Sequence, residues 1–408
     1  MAPSSYISET RRTPILREPD VLVAGGGFAG IAAALAAARC GARVLLTERM
    51  FLLGGLGTSG LVTIYLPLCD GEGRQVSFGL AEELLRLSVS EHCDGARGVE
   101  NWLTHRPAER AARARGHRFE VNFNPQLFAI SAEQALLSAG VEILYGTVVT
   151  DAVTEGDRVT AVMIETKGGR YAVCPGMIVD ATGDADLAHM AGLETALYVP
   201  GNHLAAWYYF HGGSGYALKM MGMVDIPDEE AENNPAARIS SRSFAAVGGE
   251  ELSEMTCLSH AAILQDVRKH KQDDPTYEPV TVATIPQVRM TRRLVGAYTL
   301  DESEVHTPFA DSVGMVSDWR RRGPVFEVPY GTLYSPACAN LAVAGRCTSV
   351  TDAMWDIMRV IPCCSVTGQA AGTAAALCRD FRHLPVHDLQ ERLVRDGVVL
   401  HEKDLSDE

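Results

Sequence analysis

The sequence predicts an α/β fold: a parallel sheet flanked by helices, with a β-meander and an inserted α+β domain. Three observations predict it. An apolar run at 20–24 ends in Gly25-Gly26-Gly27 and opens an alanine-rich stretch at 28–40. A second apolar run follows at 43–48, completing a β-α-β pattern. Alternating runs at 148–155, 158–166 and 170–173, the last two joined by Lys167-Gly168-Gly169, read as a meander. Apolar strands ending in glycine turns return at 177–183 and 340–345, and an alanine-rich helix at 365–378 follows the second.

Taken in order, residues 1–19 are polar with several prolines and read as an arm. The 20–24 strand is short and wholly apolar, as a parallel strand buried on both faces requires. Gly41 closes the 28–40 helix. A glycine-rich loop spans 54–60, and 80–87 reads as a helix. Residues 91–118 are irregular and carry Arg97, Arg106, Arg110, Arg113, Arg115 and Arg118. They read as a solvated basic face, with a surface for an acidic substrate as the alternative. A helix at 125–139 and a strand at 141–145 come next. From 190 to 330 the chain turns rich in aromatics, Met and Gly, with an acidic stretch at 225–235. The predicted organisation is an arm (1–19), a discontinuous nucleotide-binding domain (20–90, 120–190 and 331–390), a substrate or cap domain (91–119 and 191–330) and a tail (391–408). No internal repeat is present.

Composition narrows the function classes. The 408 residues are 47% hydrophobic and 21% charged, as in an ordinary globular protein. A net charge of −15 argues against general nucleic-acid binding. No stretch is long and apolar enough to span a bilayer, and Arg11-Arg12 leads into Thr13-Pro14 rather than an apolar signal segment. A cytoplasmic protein is the expectation. The ten cysteines are scattered, which fits reduced thiols better than a disulfide framework. Cys363-Cys364 is a candidate redox pair, with plain packing as the preferred reading. No Cys/His spacing suggests a metal site.

Gly25-x-Gly27-x-x-Gly30 follows a strand and opens a helix, the context that gives this motif meaning. Gly25 permits the tight turn, Gly27 lets the backbone approach a pyrophosphate, and Gly30 lets the helix pack against the strand. The helix start offers N–H groups and a partial positive charge to phosphate. Glu48 closes the second strand, placed to accept ribose hydroxyls and to repel a 2′-phosphate. These features point to a dinucleotide and leave FAD and NAD both open.

Three more features bear on that choice. Glu48-Arg49 is followed by Gly54-Gly55 and Thr58-Ser59-Gly60. Asp180-Ala181-Thr182-Gly183-Asp184 ends a later strand. Gly345-Arg346 leads to Arg359-Val360-Ile361-Pro362 and then Thr367-Gly368-Gln369-Ala370-Ala371-Gly372. Together these residues resemble the glutathione-reductase-type (GR2-like) superfamily of FAD proteins, and within it an FAD-dependent oxidoreductase family related to thiazole-synthase-like and fumarate-reductase-like flavoproteins. The resemblance begins at the strand before Gly25, resumes over 123–192 and again over 289–377. It implies a Rossmann-like FAD-binding domain. By motif position it implies that Gly25, Gly27, Phe28, Ala29, Gly30, Glu48 and Arg49 hold the ADP half. Gly54, Gly55 and Thr58 would line the pyrophosphate and ribityl chain, and Val149 would offer its backbone to adenine. Ala181, Thr182 and Gly183 would form a turn near the cofactor. Gly345 and Arg346 would make a second phosphate or ribityl contact. Pro362 and the N–H groups of Thr367, Gly368 and Gln369 would face the pyrimidine edge of the flavin, where a helix start stabilises negative charge.

Substrate chemistry has fewer signals. Asp352 and Arg359 lie between the last strand and the flavin-facing helix; relatives often carry His near 352 or 353, and this chain has Asp352-Ala353. Arg289, Arg292 and Arg293 form a basic cluster that suits either substrate binding or interdomain ion pairs. The run Trp207-Tyr208-Tyr209-Phe210-His211 suits a planar substrate or an ordinary strand, and His211 is a candidate base, with His203 a further one. The expected function is an FAD-dependent dehydrogenase or oxidase. It would remove a hydride from a C–N, C–O or C–C bond of a small metabolite, with a biosynthetic tailoring role by analogy. Since no second nucleotide motif follows a strand, either oxygen, a quinone-like compound or a partner protein would take the electrons, or NAD(P)H would dock transiently without a Rossmann domain of its own. A homo-oligomer is compatible with the sequence. The alternatives are a flavin-dependent monooxygenase, which usually has Gly-Asp where this chain has Gly345-Arg346, and an NAD-dependent dehydrogenase.

Overall fold

Five short strands, each a run of apolar residues, line up in parallel in the order Leu341–Val343, Met177–Asp180, Val21–Ala24, Val44–Glu48 and Glu142–Tyr145. The inner strands are buried on both faces, which is why they read as unbroken apolar runs. These are features of a computed structural model that describes residues 7–91, 120–213, 215–222 and 238–405. The basic stretch expected at 97–118 and the acidic stretch at 225–235 lie outside the described residues.

The described helices are α1 (Phe28–Arg39), α2 (Leu80–Val89), α3 (Pro125–Ser138), α4 (Asp186–Met190), α5 (Gly249–His270), α6 (Asp352–Met358), α7 (Ile361–Leu377) and α8 (Val386–Arg395). Helix α3 starts where sequence rules place it: Asn124 Oδ1 accepts from the N–H groups of Gln126 and Leu127, and Pro125 takes the first turn. Helices α1 and α7 pack directly on each other. A Cβ on Gly368 would lie 2.3 Å from Ala29 O, and one on Gly372 2.1 Å from Ala33 O, so only glycine permits this approach. Their shared surface of alanines and glycines is the centre of the main core.

The meander appears as expected, as Val148–Glu155, Arg158–Thr166 and Gly169–Val173. It gains a fourth strand: Ile15–Arg17, expected in an arm, pairs in parallel with Gly169–Val173. Two further differences concern boundaries. The hairpin Ser312–Ser317 with Val325–Pro329 was expected in the inserted domain, yet Val313, Val316, Phe326 and Val328 belong to the core that contains α7. The expected tail at 391–408 includes the end of α8 and buries Leu393 and Leu400 in that same core. Apolar side chains need a surface to cover, and α7 supplies it.

The inserted region carries its own smaller sheets. Tyr208–Gly212 sits between Gly215–Lys219 and Glu278–Val282, with α5 beside it. Thr195–Leu197 pairs with Arg292–Leu294. Among the described residues, no single helix is long and apolar enough to cross a membrane. The one bent pair that passes on composition, α6 with α7, turns by 91° and is largely buried in the core.

Candidate active site

A cavity of about 490 Å³ opens at the carboxyl ends of the central strands and runs from the start of α1 to the start of α7. The first half is built almost entirely from backbone. Gly25 turns at φ +104°, and a Cβ there would lie 2.4 Å from Ala181 O. On Gly30 a Cβ would lie 1.8 Å from Gly25 O, so this glycine seats α1 against the strand end. A Cβ on Gly27 would meet nothing within 4 Å; its face is the cavity. Gly27 is also the N-cap of α1, with no side chain capping the helix, so its first N–H groups are left for an anion.

Glu48 is 6% exposed. Its Oε2 accepts from Gly26 N at 2.8 Å and its Oε1 from Met50 N at 2.7 Å. Burial raises its pKa, and those N–H groups oppose the rise. The carboxylate thus locks the glycine turn while lining the cavity. Gly54 N donates to Gly26 O at 2.8 Å, which joins the second glycine loop to the first. Arg49, Gly54, Gly55, Phe28 and Ala29 all line the cavity.

Ala181, Thr182 and Gly183 line the next stretch of wall, together with Asp184, Gly345 and Arg346. Arg346 Nη2 pairs with Asp184 Oδ1 at 3.2 Å, and its Nη1 donates to Arg289 O at 2.8 Å. Thr291 Oγ1 donates to the same Asp184 oxygen at 2.6 Å. Arg346 therefore ties the nucleotide domain to the inserted region. The far end is the start of α7, where Val360 is the N-cap, again without a side-chain cap, and Ile361 and Val360 face the cavity.

Several expected contacts are corrected. Helix α7 begins at Ile361, not near 365, because Pro362 is tolerated in a first turn. Thr367, Gly368 and Gln369 are therefore mid-helix and outside the lining. Thr367 Oγ1 accepts from Gly345 N at 2.9 Å, Gly368 packs on Ala29, and Gln369 Oε1 accepts from Leu80 N at 2.7 Å. They brace the site and do not line it. Pro362 is buried outside the lining too. Thr58 folds back onto Leu53 O, and neither Thr58 nor Val149 is in the lining.

The second half of the cavity is walled by side chains. Val62, Ile64 and Leu66 line it together with Leu252, Ile285, Pro286 and Val288, and Arg289 and Arg359 also reach the wall. Gln287, which sequence reasoning missed, fixes this half: its Nε2 donates to Gly60 O at 2.7 Å and its Oε1 accepts from Trp207 N at 3.0 Å. No motif marks it; a single amide bridging two segments leaves no pattern in a sequence.

Of the four candidate catalytic residues, Arg289 and Arg359 reach the cavity wall and Asp352 and His211 do not. Asp352 opens α6 behind the Thr351 N-cap and accepts from Val199 N at 3.3 Å. His211 is exposed on its strand, opposite Tyr216 and Glu278, because strand alternation points it away from the core. His203 lies beside Arg238 Nη2 at 2.8 Å, also outside the lining. The aromatic run 207–210 stays outside the lining as well, and Trp207 backs Arg289 from behind. Arg292 pairs with Asp186 at 3.4 Å, and Arg293 lies over Trp355. Arg359 Nη2 pairs with Asp356 Oδ1 at 2.6 Å. Cys363 and Cys364 are free thiols. Burial pushes Cys364 up to about 11 and Cys363 well above its ordinary value, which leaves both protonated at neutral pH. No group of His, Cys, Asp and Glu that could hold a metal is found among the described residues.

The residues present fit FAD. Two helix starts without side-chain caps face one continuous cavity, a glycine without obstruction stands at the first, and a buried carboxylate closes the second strand.

Parts of the chain are similar to known proteins. The chain is 28% identical to aklavinone 12-hydroxylase of Streptomyces peucetius over 234 residues, 47% of this chain and 44% of that protein. It is 26% identical to thiamine thiazole synthase of Methanococcus vannielii over 184 residues, 41% of this chain and 57% of that protein. The chain thus spans about half the length of the curated relatives it matches. A geranylgeranyl bacteriochlorophyll reductase-like protein of Thermoplasma acidophilum superposes with a TM-score of 0.43 at 14% identity, covering 93% of this chain and 82% of that one. The model of the family described as FAD dependent oxidoreductase matches residues 20–206 and 214–396, and the chain belongs to that family of FAD-binding enzymes.

Proposed function

We propose that the chain uses FAD to hydroxylate an apolar small molecule seated in the side-chain-walled half of the cavity. The observation that carries this reading is the apolar wall itself. Val62, Ile64, Leu66, Leu252, Ile285 and Pro286 face the same space as the two helix starts, so substrate carbon and cofactor would share one water-poor chamber. Bound FAD would carry two electrons from a reduced nicotinamide to dioxygen, one oxygen atom entering a substrate C–H bond and the other leaving as water. The chain's own residues bind and orient. The start of α1 holds the pyrophosphate, Glu48 holds the ribose end, Arg346 closes the cavity against the inserted region, and the apolar wall excludes water.

The likeness to a hydroxylase over part of the chain supports this reading. The Arg at 346 is less of an objection than the sequence suggests. The aspartate usual after that glycine is absent, but Asp184 stands at the same wall, held by Arg346 and Thr291. Removal of a hydride, with oxygen, a quinone-like compound or a protein as acceptor, is the second reading, and the Gly345-Arg346 sequence itself favours it.

Labelled dioxygen separates the two. The FAD-loaded protein is mixed with reduced nicotinamide, ¹⁸O₂ and a panel of apolar aromatic compounds, and products are weighed by mass spectrometry. Label in the product with nicotinamide consumed is the expected result. Anaerobic bleaching of the flavin by a substrate alone, with no label incorporated aerobically, would replace hydroxylation with hydride removal.

A further inference from the structure

We propose that Arg289 is the anion-recognition residue of the substrate half, and that the substrate is an apolar molecule carrying a carboxylate. This rests on reading that half as the substrate site. Besides Arg49, next to Glu48, three guanidinium groups stand along the cavity wall: Arg289, Arg346 and Arg359. Two of them are matched, Arg346 by Asp184 at 3.2 Å and Arg359 by Asp356 at 2.6 Å. Arg289 has no carboxylate within 4.0 Å among the described residues, although it is only 4% exposed. Among the described residues its side chain makes one hydrogen bond, from Nη1 to Gln287 O at 3.3 Å.

A buried cation without a counter-charge is costly, and proteins keep one where something else supplies the charge. Burial, and then the neighbouring Arg346, pull the Arg289 guanidinium down to about 9, against a weaker opposing pull from the Asp356 carboxylate, which stands beyond ion-pair distance. A carboxylate arriving from the cavity would relieve both effects. The group is also held ready. Its guanidinium carbon lies 5.3 Å from the centre of the Trp207 ring, which supports the plane by a cation–π contact. Asn202 Oδ1 accepts from Arg289 N at 2.9 Å and from Met290 N at 3.1 Å, fixing the backbone that carries it. A planar fork braced on one side suits bidentate pairing with a carboxylate better than a point contact. Pre-positioning lowers the ordering cost that binding would otherwise carry. The apolar residues beyond, Val62, Leu252 and Ile285 among them, fit the remainder of such a molecule.

The test uses the FAD-loaded protein and two isosteric probes, 2-naphthoate and its neutral carboxamide, with binding read from the perturbed flavin absorbance. The parent is expected to bind the acid at least about tenfold more tightly than the amide. Arg289→Met is expected to weaken acid binding about 100-fold, the range for removing one partner of a buried charge pair, and to leave amide and FAD affinity within about twofold. Arg289→Lys is expected to recover part of the loss, because it restores charge without the fork. Replacing an unpaired buried cation by Met leaves no orphaned charge, so the variant keeps its fold. Equal binding of acid and amide by the parent would overturn the proposal. So would an Arg289→Met variant whose acid preference survives while its FAD affinity or reduction potential shifts, since Arg289 would then serve the cofactor. If neither probe perturbs the flavin, the reading of this half as the substrate site fails as well.

Discussion

The two halves of the cavity are built by opposite means. The cofactor half is a surface of backbone. Gly25, Gly27, Gly30, the 54–57 loop, Gly183 and Gly345 shape it by what they lack, and Glu48 holds the turn in place. The substrate half is a surface of side chains drawn from segments far apart in the chain, joined by Gln287 and Thr284 to the 59–60 backbone. A missing Cβ is a strict requirement, because any side chain at all violates it. An apolar wall is a loose requirement, because several side chains of similar volume satisfy it.

That contrast sets the largest expected effect. In Gly30→Ala the new methyl would lie 1.8 Å from Gly25 O, a backbone atom held within a buried turn. Neither side can yield cheaply, so the variant is expected to lose about 3 kcal/mol or more in urea unfolding and to purify without FAD. A variant as stable as the parent would show that the turn has slack and that the cofactor half is less exacting than argued. Gly27→Ala sharpens the point, since its methyl meets no protein atom within 4 Å and enters the cavity instead. Stability is expected to stay within about 0.5 kcal/mol. FAD affinity, measured by fluorescence titration of the apoprotein, is expected to fall at least about tenfold, because the methyl occupies the approach the backbone must leave open.

The same contrast explains what was legible in the sequence. Gly25, Gly27, Gly30 and Glu48 declare themselves because their spacing follows from the geometry of a strand, a turn and a helix. The meander declares itself through alternation and a Lys-Gly-Gly turn. Thr367, Gly368 and Gln369 are ambiguous in sequence because a close helix pair and a cofactor-facing helix both ask for small residues; Gly368 and Gly372 answer to Ala29 and Ala33. The 312–329 hairpin joins the α7 core rather than the inserted region, and chain order does not say which core a strand joins. Ile285, Leu252 and Gln287 carry no spacing rule at all. Arg289 was visible only as one of three arginines, and the distinction that matters, the absence of a carboxylate beside it among the described residues, is tertiary.

A smaller effect is expected on the substrate side. Ile285 lines the cavity and is only partly buried, so Ile285→Ala is expected to cost about 1 kcal/mol of stability or less. FAD content should not change. The affinity for an apolar ligand is expected to fall about tenfold, in line with the lost methylene contacts. If FAD is lost together with the ligand, the two halves are one mechanical unit and the division between them breaks down.

The smallest effect concerns a residue on the border. Arg359 reaches the cavity near the start of α7 and is held from behind by Asp356, through Nη2 at 2.6 Å and Nε at 2.9 Å. Burial, partly offset by Arg320, raises the Asp356 carboxyl to about 6 from an ordinary 3.8. A raised acid binds its proton more tightly in the folded chain than in the unfolded one. Between about pH 4 and 6 the folded state therefore carries more protons, and this group's contribution to stability declines as pH rises through that window. Asp356→Asn removes the titration but keeps the shape. The variant is expected to gain on the parent as pH goes from 4 to 7, read as the difference between their urea midpoints at each pH. The opposite trend, the parent gaining on the variant, would mean that the Arg359 pair outweighs burial and holds the carboxyl below its ordinary value. Arg359 is matched by Asp356 at neutral pH in either case, so the trend decides whether burial or the ion pair dominates that carboxyl.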